Sequence, residues 1–140
     1  MSGDFIDSNI FVYLFDETDE HKRGTAAGIV ESGLQTNSAS ISFQVVQETL
    51  NVLTRKLATP MTVEGAKRFL ENILVPLWRV SPSSTLYYQA LDVQARYRYS
   101  FYDSLIVAAA LDAGCDRLYS EDMQSGQRIE GLKIENPFEN

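Results

Sequence analysis

This sequence predicts an α/β fold, a mostly parallel sheet covered on both faces by helices, and three observations predict it. Short apolar runs that suit strands alternate with longer runs at helical spacing, an order that favours parallel strands joined by crossover helices. "FQVVQETLNVLTRKL" repeats apolar residues at Phe43, Val46, Leu50, Leu53 and Leu57, one face of an amphipathic helix. "DSLIVAAALDAG" is apolar nearly all round, as a helix buried within such a sandwich must be.

Element by element, "DFID" is too short to classify by periodicity but reads as a first strand, and the residues after it suit a helix through about Phe15. The polar "DETDEHKRG" reads as a turn or helix start, and Thr25 to Leu34 as a helix. "SASIS" is a brief strand that hands over at Ser42, a good N-cap, to the amphipathic helix. "TVEGAKRFLENIL" forms the next helix with Thr62 as cap, and "PLWRV" a strand beginning after Pro76. "SSTLYYQALDVQARYRY" is helical, and Gly114 supplies the left-handed residue that ends the apolar helix. "DRLYS" and "LKIEN" finish as two strands around "EDMQSGQRIEG".

At 140 residues and 44% hydrophobic content, residues 1–140 are expected to form one domain that buries its core without disulfides or structural metal. Cys115 is the only cysteine, so no internal disulfide forms, in keeping with a reducing compartment. The start "MSGDFID" lacks a basic and then apolar leader, and no apolar run approaches the roughly 20 residues that span a bilayer. A cytoplasmic protein with no membrane partner is expected. A net charge of -7 opposes nucleic-acid binding by a broad basic face, so any such binding requires a local reversal of sign.

In open α/β sheets, ligands bind outside the carboxyl ends of the strands. That rule singles out Asp7, after the first strand, and Asp122, just beyond "RLYS". Asp103 stands at the start of the apolar helix, where the dipole favours negative charge. For Asp7 and Asp103 a simple N-cap role competes with a functional one. Glu48 lies roughly opposite the Phe43/Val46/Leu50/Leu53 stripe, the place of a solvated residue, although Val45 and Val52 widen the apolar face beside it.

What is missing restricts the chemistry. His21 is the only histidine and sits in a charged stretch, which excludes a paired-histidine ribonuclease and disfavours a Ser-His-Asp triad. Walker and Rossmann glycine patterns are absent. Converging carboxylates would repel one another and take up protons unless a divalent cation sat among them. Oxygen ligands of this kind suit Mg²⁺ or Mn²⁺, which can activate water and stabilise a phosphodiester's leaving oxygen.

At these residues the chain resembles the PIN-domain family, and especially the toxin ribonucleases of VapBC-type toxin–antitoxin pairs. "FIDSNIFVY" resembles the family's opening Asp-(Thr/Ser)-Asn motif, "QVVQETLNVL" its acid-bearing helix, and "FYDSLIVAAALDAGCDRLYSEDMQSGQ" the segment with its last acids. The resemblance implies a PIN-like three-layer α/β/α sandwich with a short, mostly parallel central sheet. It places an acidic quartet, catalytic and metal-binding, on Asp7, Glu48, Asp103 and Asp122, with Asn9 and Ser120 in support. It implies Mg²⁺- or Mn²⁺-dependent endoribonuclease activity on an RNA substrate, a homodimer, and a cognate antitoxin protein that inhibits the site. A PIN-like interaction module that receives a basic partner at its acids is the reading from another class. Haloacid-dehalogenase-like and ribonuclease-H-like readings fall behind, the first because Asp4 and Asp7 are wrongly spaced, the second because a helix follows the first strand.

Other residues are expected to be structural. Tyr97, Tyr99 and Tyr102, interleaved with Arg96 and Arg98, could stack on unpaired bases, but packing of the helix end is the favoured reading. Glu121 is expected to face solvent or assist a metal's water, Asp116 to serve a turn, and Cys115 to be a small buried apolar residue.

Overall fold

The computed structural model describes residues 3–139. Met1, Ser2 and Asn140, the extreme ends of the expected domain, lie outside the described residues. In chain order the elements are β1 (Asp4–Ile6), α1 (Ser8–Tyr13), α2 (Glu20–Thr36), β2 (Ala39–Ser42), α3 (Phe43–Arg55) and α4 (Val63–Phe69). A π-helical turn (Leu70–Leu74) leads into α5 (Val75–Leu77), followed by β3 (Trp78–Val80), α6 (Ser84–Tyr97), α7 (Phe101–Asp112), β4 (Arg117–Tyr119), β5 (Arg128–Ile129) and β6 (Leu132–Glu135).

The six strands form one sheet in the order β3-β2-β1-β4-β6-β5, parallel except for the β5–β6 pair. Asp4 stands opposite Ala39 on one side and Arg117 on the other, so the first strand is central. Phe5 and Ile6 point to opposite faces, as successive strand residues must, and both are fully buried. All four residues of β2 are buried as well. Helices therefore cover both faces, which is why these strands read as apolar runs rather than alternating ones.

Helix α7 is the buried helix: Ser104 through Ala110 are all buried. Its run of three alanines, Ala108–Ala110, admits close packing against neighbours. Helix α2 approaches β2 closely at Gly33, where an added Cβ would lie 2.5 Å from the Cβ of Ala39. Gly114 has φ 74 and ends α7 as expected.

The stretch read as a turn or helix start does start helix α2, at Glu20 and ahead of Thr25, because the Asp19 side chain accepts the Lys22 N–H and caps it. The structure departs from the sequence reading in three places. The strand expected to begin after Pro76 begins at Trp78, because Pro76 and Leu77 lie in the short helix α5 that continues from the π-helical turn. The two-residue β5 joins β6 through Glu130 (φ 50) and Gly131 (φ 92), a left-handed turn. Finally, α7 begins at Phe101 with Ser100 as its cap, two residues earlier than expected. Among the described residues no helix is long and apolar enough to cross a membrane.

Candidate active site

Asp7 follows the central strand, and its N–H donates to the Tyr119 carbonyl of β4 at 3.0 Å. Its carboxylate does two things at once. Oδ1 accepts the Ser8 N–H at 2.7 Å and so caps α1, while Oδ2 accepts the buried Ser120 hydroxyl at 2.8 Å. The cap reading is correct, yet it does not account for a carboxylate only 5% exposed. Burial raises the Asp7 carboxyl from 3.8 to about 7; the Ser120 and Ser8 hydrogen bonds oppose that rise, and the charges of Glu48 and Asp122 add to it.

Ser120 is held in turn by the sheet, since its N–H donates to the Glu135 carbonyl of β6 at 3.1 Å. Its Oγ accepts the Asp122 N–H at 3.3 Å. Asn9, on the first turn of α1, reaches across to the same loop: Nδ2 donates to Asp122 Oδ2 at 3.0 Å and Oδ1 accepts the Glu121 N–H at 3.4 Å. The ends of β1 and β4 are thus sewn together by side chains 113 residues apart.

Glu48 is half-buried rather than solvated. Its Oε1 accepts the Ser8 hydroxyl at 3.1 Å and its Oε2 the Gln44 amide at 3.2 Å. The same amide nitrogen donates to the Tyr102 carbonyl at 3.1 Å, which ties α3 to the start of α7. Asp103 is not the cap of α7: its N–H donates to Ser100 Oγ at 3.1 Å, leaving the carboxylate free of capping duty. Burial raises its carboxyl, Ser100 opposes, and the Asp122 charge adds to the rise. The charges of Glu48 and Asp122 both bear on Asp7, and that of Asp122 bears on Asp103; among the described residues none of the four acids hydrogen-bonds another through its side chain.

Three residues that hold the acids escaped sequence reading. Ser8 and Gln44 orient Glu48, and Ser100 frees Asp103. Two of them carried a signal: Gln44 and Glu48 are an i, i+4 helix pair, and Ser100-Phe-Tyr-Asp103 has capping-box spacing. Glu121, expected to face solvent or assist a metal's water, bonds Lys22 and Tyr13. The tyrosine stretch divides. Tyr99 bonds Gln127 through its hydroxyl, Tyr97 is half-buried, and Tyr102 is 66% exposed beside Asp103.

A divalent cation suits this donor set. None of Asp7, Glu48, Asp103 or Asp122 takes part in a salt bridge among the described residues. A further oxygen, Gln44 Oε1, is buried beside Glu48 without a hydrogen-bond donor. Among the described residues, no three acids close around one point as a finished cage. A polar cavity of about 530 Å³ lies at the opposite, amino ends of the strands, where Asp4 and Arg117 are already paired at 2.9 Å.

A short parallel sheet whose central strand ends in a buried acid, with further acids on the neighbouring strand and helices, defines the class, and the PIN domain family model matches residues 5–126. The chain belongs to the PIN domain family. Among solved structures it is similar to Mycobacterium tuberculosis VapC20, described as a toxin that cleaves the sarcin-ricin loop, with 24% identity, 86% of this chain and 90% of that one covered, and a TM-score of 0.61. A toxin–antitoxin complex from Klebsiella pneumoniae aligns over 99% of this chain and 100% of that one at 16% identity and TM-score 0.68. DNA-bound VapBC from Salmonella typhimurium aligns over 98% and 99% at 20% identity and TM-score 0.65. No curated protein matches the chain.

Proposed function

We propose that this protein is a Mg²⁺- or Mn²⁺-dependent endoribonuclease and the toxin of a type II toxin–antitoxin pair. One observation carries the reading: a buried carboxylate, Asp7, is fixed by Ser120 and Ser8 within range of the charges of two further acids, with no salt bridge to it among the described residues. Buried carboxylates placed beside like charges cluster at functional sites.

Asp7, Glu48, Asp103 and Asp122 would hold the ion. When bound, it supplies a readily deprotonated water and offsets charge on the phosphodiester. The chain's own residues do the rest. Ser120 and the Ser8 N–H keep Asp7 in one orientation, Ser8 and Gln44 do so for Glu48, and Asn9 turns Asp122 inward. Such supporting bonds commonly change metal affinity or activity 10–100-fold when removed. Water loses a proton and attacks the phosphorus in line with the 3′ oxygen; the bond from phosphorus to that oxygen breaks, the 3′ oxygen takes up a proton to leave as a hydroxyl, and the phosphate stays on the 5′ oxygen. Toxin–antitoxin complexes among the structural neighbours support a cognate antitoxin as partner; that the antitoxin blocks these acids, and that the toxin is a homodimer working in the cytoplasm, belong to the same proposal.

A second reading has an observation of its own. Because no three acids close into a cage among the described residues, they could instead receive a basic partner protein. One experiment separates the two: incubate a mixed, end-labelled RNA pool with the protein and Mn²⁺ or Mg²⁺, beside an EDTA control and Asp7→Asn. Cleavage lost in both controls is expected. Cleavage that survives Asp7→Asn in full refutes the site, and no cleavage without antitoxin carry-over favours the interaction module.

A further inference from the structure

Of the four acids, Asp122 alone is exposed. It sits in a loop outside regular structure, and its carboxylate has one hydrogen bond, from Asn9. Its neighbour Glu121 is held far more firmly. Lys22 Nζ, from the first turn of α2, lies 2.7 Å from Glu121 Oε2, and the Tyr13 hydroxyl, from the end of α1, donates to Oε1 at 2.5 Å. Lys22 also donates to the Tyr13 hydroxyl at 3.1 Å, closing a triangle.

The triangle has an aromatic floor. The ammonium lies 4.6 Å from the Tyr13 ring centre and 5.5 Å from that of Phe138, and the two rings meet edge to face at 4.8 Å. Phe138 is buried and comes from the segment after β6. Both partners of the ion pair are largely covered, at 29% and 25% side-chain exposure, so the pair is less screened than a surface one. Three segments of the chain converge to fix one glutamate that is not itself among the acids of the site.

We propose that Lys22 and Tyr13 are positioning residues for Asp122, acting through Glu121. Glu121 is tethered at its N–H by Asn9 and at both carboxylate oxygens by Lys22 and Tyr13. Its covalent neighbour then has little freedom left, and the ordering cost of bringing Asp122 to an ion is met during folding rather than at binding. The proposal rests on the metal-site reading above.

The probe is Mn²⁺ alone, titrated into the full chain and followed by melting temperature, with wild type, Lys22→Met, Lys22→Arg, Tyr13→Phe, Glu121→Gln and the Lys22→Met/Glu121→Gln double variant. Lys22→Met and Glu121→Gln are each expected to raise the half-saturating Mn²⁺ concentration about ten-fold. Lys22→Arg should restore most of it, and the double variant should be no worse than the worse single one, because both act through one contact. Tyr13→Phe, which keeps the ring and removes only the hydroxyl, gives a smaller rise in the same direction and serves if Lys22→Met fails to fold. A lower melting temperature in EDTA with an unmoved Mn²⁺ midpoint makes the triangle structural and overturns the proposal. So do single effects that add. If wild type itself ignores Mn²⁺, the metal reading fails and takes the positioning role with it; a responsive wild type beside equally responsive variants refutes the positioning role alone.

Discussion

Replacing Asp7 by Asn should make the metal-free protein more stable while removing its function. The Asp7 carboxyl titrates near 3.8 when unfolded and near 7 in the fold. A raised carboxyl keeps its proton longer in the native state, so stability falls as pH climbs from about 4 to about 7 and is flat above. The separation of the two values corresponds to about 4 kcal/mol lost by pH 8 in wild type. Asn keeps the shape and drops the charge. Its single carbonyl can accept from Ser8 N–H or from Ser120, not both, which takes back about 1–2 kcal/mol. The net gain is then about 2–3 kcal/mol, a rise of about 6–10 °C in Tm for a chain of this size.

The assay is thermal unfolding in EDTA across pH 4 to 8. Wild type should lose Tm over that window, with Asp103 adding to the slope since its carboxyl is also raised; Asp7→Asn should show only the Asp103 part. Adding Mn²⁺ should reverse the order, because a ligand at about 100 times its Kd stabilises wild type by about 2.7 kcal/mol and the variant by far less. An Asp7→Asn protein that melts below wild type at pH 8 in EDTA, with a wild-type profile flat from 4 to 7, would refute the argument.

Further outcomes follow from neighbouring contacts. Ser120→Ala removes the hydroxyl that opposes the rise at Asp7; RNA cleavage should drop about 10–100-fold, and its pH optimum should move upward. Asn9→Ala frees Asp122 at little structural expense, so Tm should change by no more than about 2–4 °C while the Mn²⁺ midpoint rises about ten-fold. Gly33→Val drives a side chain into Ala39, costing about 1–3 kcal/mol in urea unfolding; its Mn²⁺ midpoint should stay at the wild-type value, which separates packing from site.

Much of the fold was legible because its elements are long or strongly patterned. The Ser42-capped helix α3, the buried α7 and the Gly114 stop all stand where local rules put them. Local rules failed where a distant residue decides. On a helical wheel Glu48 lies on the polar side, and a wheel does not distinguish a face in bulk water from one lining a cleft; Ser8, 40 residues away, makes the difference. Glu121 reads as solvated until Lys22 arrives from 99 residues upstream. The hairpin of β5 escaped because two residues carry no period, and its left-handed pair, Glu130–Gly131, is not the usual Asn-Gly signal. Asp7 shows that two readings need not compete: one carboxylate oxygen caps a helix and the other meets Ser120.

The central place of β1 has a consequence for synthesis on the ribosome. The strand that emerges first needs β4, whose Arg117 pairs with Asp4 from 113 residues further on, to cover its second edge. Until that stretch clears the exit tunnel, the nascent chain carries Asp7 without Ser120, Asn9 without Asp122 and Lys22 without Glu121. Chains that stall or are cut before β4 lack Ser120 and Asp122, so the four carboxylates come together only after β4 has been made. Assembly of the acidic cluster is thus tied to the late arrival of β4 and not to the early synthesis of β1.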